Sequence, residues 1–397
     1  MSTRFGLAAL LAAGAIAAAS AQDVFDASTF DQTVQQSTQA EQKAKLETQF
    51  GGNLLYDTAG TTTADFAGYG VDGSFSGKAF VKVSVPSYGA LYLAYNFYKN
   101  LYQGAAGNVP GVPFRNLDLY SVGADLAEFY ASLDILRVVF FRIGNQLLAW
   151  GPSVIWTPVD FVNLQRVNPL SPLDLRVGKP GIRMTVPLGI SNIFFFADMS
   201  GTVASGVVND PVQTTNLAAR WDLTIGGFEL GLTGYAGNSI QDRAGLDFSG
   251  RVFGFDVYGE FAAGLPSGSY SATWSSSLGF QKTLGELSYW NVAGELFVNG
   301  SASSDTSAYP FYVGKYYAFA SLTRTHLFMD GLSSTLAGFM DMSDTSFLAR
   351  LSTTADVPGL APFTFNLSWA GGGDRKAFTW FTGNNSLTAE IQVRVEF

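Results

Sequence analysis

Residues 386–397 read Ser-Leu-Thr-Ala-Glu-Ile-Gln-Val-Arg-Val-Glu-Phe. Leu387, Ala389, Ile391, Val393, Val395 and Phe397 fall on one side of an extended chain, and Thr388, Glu390, Gln392, Arg394 and Glu396 on the other. Side chains alternate sides along a strand, so this segment is a strand with one apolar and one charged face. The division recurs upstream. Phe363, Phe365, Leu367 and Trp369 oppose Thr364, Asn366 and Ser368; Trp221, Leu223 and Ile225 oppose Arg220, Asp222 and Thr224. Trp290, Val292, Leu296 and Val298 oppose Asn291 and Glu295, and Leu91, Leu93, Tyr95 and Phe97 oppose smaller or polar partners at 90, 94 and 96. A soluble antiparallel sheet shows such alternation too. Charges of both signs on the polar faces, however, suit a wet lumen behind a lipid-facing exterior.

Composition separates the two cases. Charged residues make up 14% of the 397, against roughly 25% in an average soluble domain, while aromatics reach 14% and glycines number 44. A soluble protein of this size needs more Lys, Glu and Arg on its surface. No stretch beyond the N-terminus approaches the ~20 continuous apolar residues of a spanning helix, which excludes a helical membrane protein. The expected class is all-β: a transmembrane antiparallel up-and-down β-barrel in the outer membrane, with outer-membrane lipid as its surroundings. There are no cysteines, so no disulfide or thiolate metal site is available. A formal charge of −9, with no basic stripe, argues against a nucleic-acid partner.

The connections set the topology. Short links are expected near 86–89, 133–135, 188–192, 226–227, 253–254, 283–285, 328–332 and 356–361. Long ones are expected near 58–68, 100–116, 149–180, 200–214, 237–244, 263–269, 299–311 and 371–385, with a less clear one near 342–345. Alternation of long extracellular loops with short periplasmic turns is the barrel pattern, and it yields about 18 strands, with 16 as the alternative. Both termini then face the periplasm.

Arg4 supplies a positive n-region, residues 6–19 an apolar h-region and Ala19-Ser20-Ala21 a cleavage site, so residues 1–21 read as a signal peptide. Residues 22–48 are Gln-rich and polar, a periplasmic segment that is helical or irregular and serves as a linker, the alternative being a plug in the lumen. The barrel is expected over 49–397.

Motifs for chemistry are weak. Gly68-Tyr69-Gly70-Val71-Asp72-Gly73 matches G-x-G-x-x-G, but a β-patterned stretch follows it where a dinucleotide site needs a helix, so it reads as a glycine-rich hairpin. His326, the only histidine, flanks an expected turn at Met329-Asp330-Gly331 and reads as structural. No catalytic residue, metal site or cofactor is expected, and the chain is not read as an enzyme.

The distinctive stretch is 137–188. It contains Arg142-Ile143-Gly144-Asn145-Gln146, Ala149-Trp150-Gly151-Pro152, Trp156-Thr157-Pro158-Val159-Asp160-Phe161-Val162-Asn163, Asn168-Pro169 and Gly178-Lys179-Pro180-Gly181-Ile182-Arg183. The pattern R-x-G-x-Q…W-G…P-x-D resembles porin-like outer-membrane barrels of spirochaetes and other diderm bacteria. Phe50-Gly51-Gly52, leading into the first strand, is similar to the spirochaetal members. The terminal Phe397 resembles the C-terminal signal that the barrel assembly machinery recognises. Asn145 stands where the R-x-G-K-Q form has a basic residue. The resemblance implies a barrel passing small solutes.

A long connection rich in Pro, Trp and Asn suits ordered irregular structure. It carries Asp160, Arg166, Asp174, Arg176 and Lys179, with Arg142, Gln146 and Arg183 on the adjoining wall. These eight are the candidates for lining or constricting a pore; a latch that stiffens the wall would use the same residues. The functional expectation is a porin-like channel for passive diffusion of small solutes. The alternatives are a structural or adhesive surface barrel, and a gated transporter for hydrophobic substrates, against which the polar lumen face counts.

Overall fold

The computed structural model describes residues 46–397, apart from 64, 67, 87, 107–121, 136–137, 164–169, 205–206, 209, 239, 269, 286–288, 301–310, 357–358, 360 and 380–382. The expected signal peptide, and all but the last residues of the expected 22–48 segment, lie outside the described residues. The strands are β1 (Glu47–Thr63), β2 (Tyr69–Val85), β3 (Gly89–Ala106), β4 (Gly123–Ile135), β5 (Val139–Gln146), β6 (Lys179–Leu188) and β7 (Ser191–Asp198). A small hairpin of β8 (Val203–Ala204) and β9 (Val207–Val208) follows. Then come β10 (Asn216–Ile225), β11 (Phe228–Ala236), β12 (Arg243–Val252), β13 (Phe255–Gly264), β14 (Thr273–Leu284) and β15 (Trp290–Asn299). The last are β16 (Tyr316–Thr325), β17 (Leu332–Asp341), β18 (Ser346–Ala355), β19 (Phe363–Gly371) and β20 (Ser386–Glu396).

All but β8 and β9 form one 18-stranded sheet in which each strand pairs antiparallel with its neighbours in the chain. β1 pairs with both β2 and β20, so the sheet closes. Closure leaves no unpaired edge, the condition for strands to cross lipid.

Directly paired residues share a face. One face carries large apolar side chains left exposed: Leu278 at 56%, Leu296 at 53%, Phe261 at 46%, Trp369 at 47% and Ile391 at 47%. This is the face toward lipid. The opposite face carries Glu260, Ser277 and Glu295, all buried, and looks into the lumen. Each face assigned from the alternation of residues 221–225, 290–298, 363–369 and 387–397 points as expected. β12 and β13, like the other strands, keep this division up to tight links. Gly226 and Gly227, at φ +59° and +86°, supply the two left-handed positions of the hairpin turn between Ile225 and Phe228.

Several boundaries differ from expectation. The connection expected over 58–68 shrinks to 64–68, because Thr61-Thr62-Thr63 extends β1: Thr61 and Thr62 pair with Gly70 and Tyr69 of β2, and Thr63 with Ser386 of β20. Threonine is a good strand former, so glycine and threonine here lengthen the hairpin rather than break it. The turn expected at 133–135 lies beyond Ile135, β3 runs on to Ala106, and β1 begins at Glu47, two residues before the expected barrel start. The G-x-G-x-x-G glycines lie at and within this hairpin, as expected.

The seam is close-fitting. The Gly52 N–H donates to the Phe397 carbonyl at 3.0 Å, and the Phe397 N–H donates back to Gly52 at 3.1 Å. A Cβ on Gly52 would lie 2.4 Å from the Lys78 carbonyl oxygen and 2.9 Å from the Phe397 ring. Gly60, on the same strand, has open space around such a Cβ. Overpacking a fitted site costs about 1–3 kcal/mol. Gly52→Leu is therefore expected to lower the temperature at which the folded band disappears on heat-modifiability gels, and Gly60→Leu to leave it unchanged. Equal behaviour of the two variants would refute the close fit at the seam.

Candidate functional site: a loop inside the barrel

The connection from β5 to β6 spans residues 147–178, and its described residues, 147–163 and 170–178, do not stay at the rim. They lie inside the barrel and are tied to wall strands far from their own. β5 and β6 lie nearly opposite β15 and β16 in the ring. Yet the Trp156 side chain is fully buried against Phe297 of β15, with rings stacked at 5.5 Å, and beside Tyr317 of β16 and Phe339 of β17. Its indole N–H donates to the Phe311 carbonyl at 2.8 Å. Phe378, from the connection between β19 and β20, packs into the same cluster.

An irregular segment in a barrel must find acceptors for its peptide N–H groups. Two wall carboxylates supply them. Glu260 on β13 accepts from the N–H groups of Ser153 at 2.9 Å and Val159 at 3.0 Å. Glu295 on β15 accepts from Val154 at 3.1 Å, Ile155 at 3.2 Å and Trp156 at 2.8 Å, and from the Tyr258 hydroxyl at 3.1 Å. A Cβ on Gly151 would lie 2.3 Å from Glu260 Oε1, and Gly151 sits at φ +97°, so the W-G step needs its glycine twice over. At the loop base, the Glu128 carboxylate accepts from the Leu147 N–H at 3.2 Å and from Lys78 at 3.0 Å. The Asn163 side-chain amide donates to the Leu148 carbonyl. A second apolar cluster joins Leu148, Trp150, Phe161 and Val162 to Phe196, Ala218, Tyr235 and Ala262 on the wall. The loop thus lies along β7 and β10–β17.

The candidate residues take distinct places. Arg176 pairs with Asp174 at 2.8 Å and with Asp160 at 3.2 Å, so all three belong to one cluster within the loop. Burial pushes the Asp160 carboxyl up to about 7 despite the pull of Arg176. Lys179, the first residue of β6, pairs with Asp198 at 3.3 Å. Gln146 is fully buried and donates to the Arg142 carbonyl at 3.2 Å. Arg142 and Arg183 are direct cross-strand partners on the lumen face. Their guanidiniums sit over aromatic rings, Arg142 over Tyr130 at 4.2 Å and Arg183 over Phe194 at 5.0 Å. Arg166 lies outside the described residues. His326 stands in the turn after β16 at φ +53°, its ring 4.7 Å from Tyr289, at the expected structural place.

Glu260 and Glu295 escaped the sequence reading as anchors. Alternation marked Glu295 as lumen-facing, and each follows a glycine, but nothing local says that a loop more than 100 residues away would meet it.

The chain matches crystal structures of outer-membrane channels over most of its length. Pseudomonas aeruginosa OccK2 (OpdF) superposes with a TM-score of 0.57 at 10% identity, covering 88% of this chain and 98% of that one. OccK5 (OpdH) of the same organism gives 0.56 at 8%, and its OpdK in complex with vanillate 0.56 at 11%, with the same coverage. The fold is that of an outer-membrane porin. No protein-family model and no curated protein matches the sequence. The closed barrel and its apolar exterior place this porin-like chain in an outer membrane.

Two outcomes follow for the loop. Hydrogen bonds to a charged acceptor contribute about 1.5–3 kcal/mol each. Glu295→Ala is therefore expected to speed amide exchange at Val154, Ile155 and Trp156 by about tenfold or more while β10–β12 keep parental rates. Parental exchange at those three amides would remove the anchoring role. For Asp160, the docked pKa lies above the free value of 3.8. Its contribution to docking is complete below 3.8 and is lost as pH rises through about 7. Loop exchange, corrected for its intrinsic pH dependence, should then rise between pH 5 and 8, and Asp160→Asn should flatten that rise. A rise that persists undiminished in the variant assigns it to other groups.

Proposed function

We propose that this protein is a porin-like channel through which small solutes diffuse passively across the outer membrane. The observation that carries the reading is a polar-faced 18-strand barrel in which residues 148–162 of the β5–β6 connection pack along the inside of the wall. In this reading the loop sets the size of the passage, and Arg142 and Arg183 on the adjoining wall meet passing ions. Among the described residues, the charges of the loop and its foot act mainly on its shape, because Arg176 and Lys179 are held in ion pairs with Asp174, Asp160 and Asp198. The extensive packing around Trp156 supports a second reading, in which the loop is a latch that stiffens a surface-structural barrel.

The refolded protein in a planar bilayer distinguishes the two. A channel gives discrete conductance steps in salt, and in liposomes it passes small sugars and amino acids while excluding larger ones. In a gradient, Arg142→Glu with Arg183→Glu should move the reversal potential toward cations. A correctly folded wild type that conducts nothing would transfer the assignment to the structural reading.

A further inference from the structure

The loop does not cover the wall evenly. Every strand of the arc β7 and β10–β17 has a buried lumen-facing residue, from Asp198 on β7 through Glu260 on β13 and Ser277 on β14 to Phe339 on β17. Most of that burial coincides with the contacts of residues 148–162. The arc from β18 across the β20–β1 seam to β2 differs. On β18 Leu348 still packs against the Trp156 cluster, but the lumen-facing residues from Arg350 to Thr354 are half-buried, as are Ser368 on β19 and Thr388 on β20. From Asp57 to Thr61 on β1 they are again half-buried, and on β2 none from Asp72 to Lys82 is buried. Among the described residues, the 147–178 connection makes no hydrogen bond to these side chains, which stand half-exposed on the wall.

At the end of β18 the buried Ser346 accepts from the Phe378 N–H of the β19–β20 connection at 3.3 Å, but the polar groups buried lower on this arc are bonded to the wall's own side chains. Asn366 donates to Glu390 at 2.8 Å, Gln392 to Asp57 at 2.9 Å and to Glu390 at 2.9 Å, and Arg350 pairs with Glu390 at 2.5 Å. This chain of partners lies flat across β18, β19, β20 and β1. No described residue of the 147–178 loop is bonded to it. Thr61 and Thr388 exchange a hydroxyl hydrogen bond at 2.9 Å across the seam itself.

We infer that the solute path is eccentric: it runs along the β18–β2 arc, over the closing seam, with the Arg350–Glu390–Gln392–Asp57 chain as its polar lining, while the β7–β17 side is shut by the loop. This rests on the channel reading. The lining is mainly hydroxyls, amides and charged groups, in which Leu55 and Phe80 are set among polar neighbours, so the path takes small hydrogen-bonding solutes and offers no continuous apolar track. Such a lining provides weak, repeated polar contacts, which let a solute enter and leave.

The absence of cysteine makes the test direct, since any introduced thiol is unique. Ser368→Cys, Thr388→Cys and Ser76→Cys stand on the open arc; Ser277→Cys and Ala262→Cys stand on the covered one. Each refolded variant is recorded in a planar bilayer before and after a charged methanethiosulfonate reagent. Stepwise loss of conductance is expected at the three open-arc positions, with none at the two covered ones. Block at Ser277→Cys or Ala262→Cys with silence on the open arc overturns the inference, and so does silence at all five in channels that conduct. A wild type without conductance overturns the channel reading itself, which is a separate failure. Heat-modifiability confirms folding of each variant, and a position that fails to fold is replaced by its neighbour two residues along the same face.

Discussion

Five peptide N–H groups between Ser153 and Val159 are satisfied by two carboxylates, Glu260 and Glu295, that belong to strands on the far side of the barrel. That exchange governs the interior. A non-helical segment inside a transmembrane barrel has few partners for its backbone, and unpaired groups there cost several kcal/mol each. Carboxylates on the wall have the matching problem, since they are costly to bury without donors. Each difficulty resolves the other. The aromatic cluster around Trp156 and the apolar cluster around Trp150 then add contact area to a loop whose path is already defined by hydrogen bonds.

The residues that distinguish this barrel's sequence are the residues of that attachment. Gly151 leaves room for the Glu260 carboxylate, Val159 donates to the same group, Asp160 receives Arg176, and Asn163 closes the loop onto Leu148. W-G and P-x-D-x-x-N are thus a description of how a loop docks, and they carry no information about what passes it. Among the described residues, the cations of the loop and its foot likewise serve its shape: Arg176 pairs with Asp174 and Asp160, and Lys179 with Asp198.

An asymmetric lumen follows. The loop leaves from β5 and β6, reaches β15–β17 by lying along the intervening wall, and leaves the opposite arc to water. The closing seam lies within that open arc. Gly52 and Phe397 exchange their backbone hydrogen bonds on it, and Asp57 and Gln392 bridge it on the lumen side. Those partners are separated by most of the chain, so the seam forms only when the barrel is complete.

The strand number of about 18, the two sides of β10, β15, β19 and β20, and most of the connections were legible in the sequence, because alternation and turn residues act over two to ten neighbours. Leu387 to Phe397 states its own two faces, and Gly226-Gly227 states its own turn. The length of the first hairpin was not legible: Thr61-Thr62-Thr63 and Gly68 suit either a loop or an extended ladder, and pairing with β2 decided it. The long connection could be recognised as ordered, but its charges could not be sorted into pore-lining and paired ones. Only the closed barrel decided that Arg176 meets Asp160, that Glu295 meets Trp156, and that one arc of wall is covered while the other stays open. Those contacts join residues 16 to more than 100 positions apart through the curvature of the ring, a distance over which no local pattern carries information.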